Sequence, residues 1–176
     1  MDSSLDSWSF ETPRLRAAPW PSGSHRLESQ GLPSVVADLL TPAVTAPLPE
    51  PWHGPYSAAR AAEWIHDRDA EGTTLLVVDR TTDEPVGLVF LHDSSDLDHP
   101  RSELRLGYLV AESRWGRGFA TELVRGFVAW ARSSPYLRVV AGVASNNAAS
   151  RRVLEKSGFA VVSEVTGPEL FYSIEV

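Results

Sequence analysis

The stretch that decides the fold is Gly107-Tyr108-Leu109-Val110 followed by Arg114-Trp115-Gly116-Arg117-Gly118-Phe119-Ala120-Thr121-Glu122. Upstream, Glu103 to Val110 alternates as a strand, with Leu104, Leu106, Tyr108 and Val110 on one face and Glu103, Arg105, Gly107 and Leu109 on the other. Downstream, apolar residues at 120, 123, 124, 127, 128 and 131 trace one stripe of a helix from about Gly118 to Arg132. Strand, glycine-containing turn and helix together expose several backbone N–H groups. The first amides of a helix lack internal partners, and the macrodipole adds about half a positive charge there. A phosphate fits such a place without a cluster of basic side chains. Gly116 and Gly118 allow the tight turn and the close approach of a ligand. The same arrangement also occurs as a plain strand-to-helix loop with no ligand.

Two other phosphate-binding patterns fail on the string. A P-loop requires Gly-Lys-Ser/Thr, and the single lysine is Lys156, near the end of a later helix. A dinucleotide fingerprint requires a third small residue where Thr121 stands and an acid at the end of the next strand, where Val139 to Ser145 has none.

Outward from this segment the chain alternates between helical and strand periods. Phe10 to Ala17 reads as a first strand with Pro13 confining it to an edge, and Ser24 to Leu40 as one broken helix or two short ones. Residues 42–55 hold five prolines and read as a loop; Ser57 caps a helix running to about Asp69. Thr74–Val78 and Val86–Leu91 form a hairpin around Thr81–Pro85, and His92 to Pro100 is a polar loop. Leu137–Val143 is a strand. Asn147 to Ser157 is a helix closed by Gly158, and Phe159–Val165 and Glu169–Val176 finish as strands. Residues 1–9 are expected to be a loose tail and 10–176 a single domain.

The 176 residues carry a net charge of −7, which disfavours a broad nucleic-acid binder. There are no cysteines, so disulfides, thiol catalysis and Cys-ligated zinc are excluded, and the five histidines show no ligand spacing, so no metal is expected. No apolar run approaches the ~20 residues of a membrane span. The first ten residues lack a basic n-region and an apolar h-region, so a cytoplasmic protein is expected, with no membrane partner.

The glycine segment resembles the acetyl-CoA loop of the GNAT superfamily of N-acetyltransferases, in its RimJ/RimL-like branch. A second match follows in Asn147-Ala148-Ala149-Ser150-Arg151-Arg152-Val153-Leu154-Glu155-Lys156-Ser157-Gly158-Phe159, and Phe10 to Arg16 is similar to that branch's opening strand. The resemblance implies a mixed α/β (α+β) fold. Its central, mostly antiparallel twisted sheet would have about seven strands flanked by about four helices, with a splayed strand pair at the cofactor. It implies that the pyrophosphate of acetyl-CoA meets amides of Trp115, Gly116, Arg117, Gly118, Phe119, Ala120 and Thr121. The pantetheine arm would pair with the strand around Leu109 and Val110, and Asn147, also a natural N-cap, would contact the cofactor. Arg117 is either a phosphate contact or a solvated arginine.

Many relatives place a tyrosine where this chain has Leu154 as the acid that protonates the leaving thiolate; here Ser150 takes that role by resemblance. The usual glutamate before the loop is replaced by Arg105. Glu103, about 6.6 Å away on the same face, becomes the candidate base, with His92 or Asp93 as alternatives. The implied reaction is direct transfer of the acetyl group to a primary amine, either a peptide N-terminus or a small cationic amine, in a ternary complex. A non-catalytic acyl-CoA sensor is the alternative, and a homodimer stays open. Trp52, His53, Tyr56 and Trp64 are candidates for the acceptor wall, with Trp64 equally placed for the core.

Overall fold

The computed structural model describes residues 8–20, 25–95, 102–162 and 168–176. Its centre is an eight-stranded sheet in the order β1-β2-β3-β4-β5-β6-β8-β7. The strands are β1 (Phe10–Glu11), β2 (Leu15–Pro19), β3 (Thr73–Asp79), β4 (Pro85–Asp93), β5 (Glu103–Val110), β6 (Arg138–Ala144), β7 (Ala160–Val161) and β8 (Glu169–Glu175). Six α-helices accompany them: α1 (His25–Gln30), α2 (Leu32–Leu39), α3 (Pro42–Thr45), α4 (Ala58–Glu71), α5 (Phe119–Ala131) and α6 (Ala148–Lys156). Every neighbouring pair is antiparallel except β5 and β6, which the crossover helix α5 joins in parallel.

Both faces of the sheet are covered, which is why β3 reads Leu-Leu-Val-Val without alternation. Leu75 and Val77 enter a core with α5 and α6 that includes Phe127, Leu154 and Tyr172. Leu76 and Val78 enter a second core under α2 and α4, with Val36, Leu39 and Trp64. On β5 the alternation read from sequence holds: Leu104, Leu106 and Val110 face the first core and Leu109 the second.

Several local expectations change. The single strand expected over Phe10–Ala17 is a hairpin, because Thr12 and Pro13 turn the chain: the Thr12 amide donates to the Leu15 carbonyl at 2.8 Å, and the Leu15 amide to Thr12 Oγ1 at 2.9 Å. The proline-rich loop contains α3, since Pro42 sits at a helix start where its missing N–H is harmless, capped by Thr41 Oγ1. A 3₁₀ turn at Glu50–Trp52 follows. The helix expected to break does so at Gly31, and Ser57 caps α4 as its sequence implied. Within the expected loose tail, Trp8 packs on Trp130 with ring centroids 5.4 Å apart; residues 1–7 lie outside the described residues. So do 96–100 of the polar loop and 163–165 of the strand expected after Phe159, whose described part is Ala160–Val161.

The feature that positions the site is the seam between β5 and β6. Only Glu103↔Arg138, Leu104↔Val139 and Arg105↔Val140 are paired, and beyond them the strands diverge. The splay implied by the family resemblance is therefore present. The crossover helix is seated closely on the β1–β2 hairpin: a side chain at Gly126 would overlap Thr12 Cγ2 and meet Phe10 at 3.3 Å. Overpacking costs about 1–3 kcal/mol, more than the helix propensity gained by replacing glycine, which is under about 1 kcal/mol. Gly126→Val should accordingly lower unfolding free energy by about 2 kcal/mol, read from the urea midpoint at unchanged slope.

Candidate active site

The loop between β5 and α5 is built on two left-handed glycines, Gly116 at φ +69° and Gly118 at φ +79°. Space is not the reason for them: nothing lies within 4 Å of a Cβ at Gly116, and at Gly118 the nearest atom is Arg14 Nη2 at 3.5 Å. The positive φ is what other residues resist. Gly118 is the N-cap of α5 and has no side chain with which to cap it. The helix ladder starts with Glu122 N–H to the Gly118 carbonyl at 3.0 Å, so the amides of Phe119, Ala120 and Thr121 are left for a ligand.

These residues open onto a cavity of about 720 Å³ between the loop, the end of β5 and one face of α6. Of the residues expected to hold the cofactor, Leu109, Val110, Trp115, Gly116, Gly118, Phe119, Ala120, Thr121 and Asn147 line it; Arg117 is exposed and is not part of the wall. Ser150 and Lys156 also line it, from α6. The dimensions and the row of free amides suit a phosphate-bearing ligand with a long thin arm.

Strand register specifies which backbone groups meet such an arm. Ala111 N–H bonds to the Val86 carbonyl and Ser94 N–H to the Glu103 carbonyl, so the odd-numbered residues of β5 are the ones bonded to β4. Leu109 therefore turns its amide and carbonyl to Leu88, whereas Tyr108 and Val110 turn theirs toward the splay. The Val110 carbonyl already accepts Trp115 Nε1–H at 2.8 Å, which fixes the exposed indole beside the opening.

At the inner end of the cavity, Tyr108 from β5 meets Ser150 from α6. Their hydroxyl oxygens are 2.8 Å apart, and the Ser150 amide donates to Asn147 Oδ1 at 3.1 Å. Burial pushes the Tyr108 hydroxyl up to about 12, against a smaller lowering from Ser150, so it stays protonated and can donate. With Tyr108 donating to Ser150 Oγ, the serine proton is free to point into the cavity.

The cavity continues through the splay. A second space of about 440 Å³ shares Tyr108, Asn147 and Ser150 with the first. A third, of about 260 Å³ on the α4 face of the sheet, shares Trp52, Phe90, Gly107, Gly142 and Glu169 with the second. Gly142 leaves room for the Glu169 carboxylate: a Cβ there would lie 2.5 Å from Glu169 Oε1 and would push that side chain aside. Trp52 stands at the centre of an aromatic cluster, 5.1 Å from Trp64 and 5.5 Å from Phe90 between centroids. Trp64 itself is core, 6% exposed, while Tyr56 donates to the Trp52 carbonyl and His53 Nε2 bonds to the Leu48 carbonyl, both bracing the loop.

The expected bases are placed differently from Ser150. Glu103 lies outside all three spaces: Ser94 Oγ donates to it at 2.8 Å and Arg138 Nη2 at 2.5 Å, closing the first rung of the β5–β6 seam. Burial would raise its carboxyl, but Ser94 and Arg138 outweigh that and hold it below the usual range. Asp93 accepts from Tyr136 and from the Ser95 amide. His92 lines the outer space, and its Nδ1 is 2.6 Å from the Glu71 carbonyl; a carbonyl only accepts, so this nitrogen carries the proton and Nε2 is the acceptor. Tyr108 and Glu169 were not singled out from sequence. Tyr108 sits in the decisive strand on the correct face, a readable signal, whereas Glu169 enters only through the pairing of β8 with β6.

Residues 26–160 match the family model of the acetyltransferase (GNAT) domain. The chain belongs to this GNAT family. Solved structures share the fold across nearly the whole chain. A GNAT acetyltransferase from Bacillus anthracis has a TM-score of 0.73 at 15% identity, covering 95% of this chain and 98% of its own. RimL, a ribosomal-protein α-N-acetyltransferase solved with coenzyme A, has a TM-score of 0.69 at 14% identity, covering 96% and 98%. The ribosomal-protein-S5-alanine acetyltransferase of Vibrio fischeri has a TM-score of 0.62 at 17% identity, covering 95% and 96%. A search of curated proteins finds no match. Among the described residues no group of three or more His, Asp or Glu is placed to hold a metal, and no helix is long and apolar enough to cross a membrane.

Two outcomes follow for this GNAT protein. Gly118→Val, forced into a left-handed backbone, should weaken CoA binding about tenfold in calorimetry, within the range of a strain of about 1–2 kcal/mol. The second concerns Glu122, near the start of α5, which accepts from Thr12 Oγ1 at 2.6 Å and the Arg14 amide at 2.8 Å. Burial would raise its carboxyl, but these bonds and the Arg14 guanidinium outweigh burial and hold it below the ordinary value. A lowered folded value means the stabilisation is complete above the unfolded range, about pH 4–5, and is lost as pH falls through the folded value. Acid unfolding of Glu122→Gln should lack that component.

Proposed function

We propose that this GNAT protein is an acetyl-CoA-dependent N-acetyltransferase of the RimJ/RimL-like kind, moving an acetyl group directly to a primary amine. The observation that carries the reading is the continuity of the groove: a cavity suited to the donor on the α5–α6 face joins one on the α4 face through the β5–β6 splay. A domain that only sensed acyl-CoA would need the first cavity and not the passage.

In this reading the loop amides of residues 116–121 hold the pyrophosphate, with Asn147 near the arm, and the thioester lies beside Tyr108 and Val110. One of their N–H groups meets the carbonyl oxygen as it becomes an oxyanion. The acceptor approaches past Trp52 and Phe90, and its ammonium meets Glu169, an exposed carboxylate that lines both spaces. The ammonium proton passes to Glu169 directly or through water, with His92 Nε2 as the other acceptor on that side. The amine nitrogen attacks the thioester carbon, a C–N bond forms and the C–S bond breaks. The departing thiolate takes the proton of Ser150, oriented by Tyr108, and the serine regains a proton from water as the newly acylated nitrogen sheds its second proton to solvent. Glu103, tied to Arg138, has no part in this scheme.

A cationic acceptor suits an acidic protein with Glu169 at the passage, and it fits the α-amino group of a peptide or a small cationic amine. CoA release measured over free-N-terminus peptides, polyamines, aminoglycosides and amino acids identifies the class. Ser150→Ala should lower kcat about tenfold, below the usual range of about 10²–10⁴ for a general acid because a thiolate leaves well, while the CoA dissociation constant changes less than about twofold. Glu169→Gln should raise KM for the amine by about tenfold, the loss of one charge-assisted hydrogen bond. Unchanged turnover in both variants would remove the assignment.

A further inference from the structure

The phosphate loop is held from outside by a residue far away in sequence. Arg14, in the turn of the β1–β2 hairpin, donates from Nη1 to the Arg117 carbonyl at 3.1 Å, across 103 positions of chain. Its guanidinium stacks over the Phe119 ring, 4.2 Å from the centroid, and its Nε–H meets Glu122 Oε2 at 2.5 Å. The base of the side chain is fixed too, because the Arg14 amide donates to Glu122 Oε1 at 2.8 Å and its carbonyl accepts from the Arg80 amide at 2.8 Å. One side chain thus touches the residue before Gly118, the residue after it and the first full turn of α5.

The contact with the Arg117 carbonyl has a geometric result. In a trans peptide unit the C=O and the following N–H point in opposite directions. Pinning the Arg117 carbonyl toward the hairpin therefore directs the Gly118 amide the other way, toward the cavity that Gly118 lines. Glycine at 118 makes this peptide unit easy to rotate, and a flip would offer a carbonyl to an anion in place of an amide. Arg14 is itself neutralised by Glu122 and does not line the cavity, so it works through the backbone and not by its own charge.

We propose that Arg14 is a positioning residue for the anion cradle, holding the 117–118 peptide unit with its N–H toward the phosphates of CoA. This rests on the reading of that loop as the CoA pyrophosphate site, and the amine acceptor plays no part in it.

The test compares CoA with pantetheine, which has the arm and no phosphates, by calorimetric titration of the full chain and of Arg14→Gln, with far-UV circular dichroism to confirm folding. Arg14→Gln should weaken CoA about tenfold and leave pantetheine within about twofold. Arg14→Lys keeps the charge but cannot reach both Glu122 and the Arg117 carbonyl, so it should recover only part of the loss, and it carries the test if the glutamine variant does not fold. CoA affinity unchanged in both variants, or CoA and pantetheine weakened alike, overturns the proposal. An unaltered chain that binds CoA but acetylates no amine refutes the transferase reading and leaves this one standing. An unaltered chain that does not bind CoA refutes both.

Discussion

A β-strand that loses its neighbour must find other partners for its amides and carbonyls, and this constraint organises the whole molecule. β5 and β6 are paired over three rungs and then separate, leaving the inward-facing groups of Tyr108 and Val110 without a ladder. One of them, the Val110 carbonyl, is met by the Trp115 indole. The others line a water-accessible gap in which an extended thioester arm can complete the sheet. Parallel pairing brings a crossover helix between the strands, and the N-terminus of that same helix presents free amides to the cavity. Opening, loop and helix are therefore one device.

The two faces of the sheet divide the labour. The face under α5 and α6 holds the loop, Asn147 and the Ser150–Tyr108 pair. The face under α2 and α4 holds Trp52, Phe90, His92 and Glu169. The sheet would ordinarily be a wall between them, and it is breached only where β5 and β6 diverge. Glycines at 107 and 142 keep that breach clear: a Cβ at Gly107 would lie 3.2 Å from Phe90 and one at Gly142 would strike Glu169. The Glu103–Arg138 ion pair sits at the closed end of the seam, where it fastens the two strands.

Much of this was legible before any coordinates. Apolar period, Gly31 as a break, Ser57 and Asn147 as caps and Gly158 as a stop are local signals, and each acts within a few residues of its cause. The loop was legible because positive-φ glycines beside a helix start are a local requirement as well. What could not be read were features set by pairing across the sheet. Glu103 and Glu169 are both glutamates on strands; only the register of β5 with β6, and of β6 with β8, puts one in an ion pair and the other at the passage. The same applies to Leu109 against Tyr108 and Val110, since which of two adjacent residues faces the gap is decided by β4. Phe10–Ala17 differs for another reason: proline suits an edge strand and a turn alike, and the Thr12 bonds to Leu15 make Pro13 part of a turn.

The free groups at the start of α5 are peptide dipoles, and two of the guanidiniums around Phe119 are already matched, Arg14 by Glu122 and Arg114 by Asp79 and Glu84. In the proposed reading a chain of net charge −7 receives a polyanionic donor mainly through backbone amides, with Lys156 beside them in the cavity wall. In that reading the donor's recognition rests largely on backbone shape, and surface charge carries less of that duty. The exterior is then free to diverge toward whatever acceptor the protein serves, so two relatives could differ widely in isoelectric point and still share one donor.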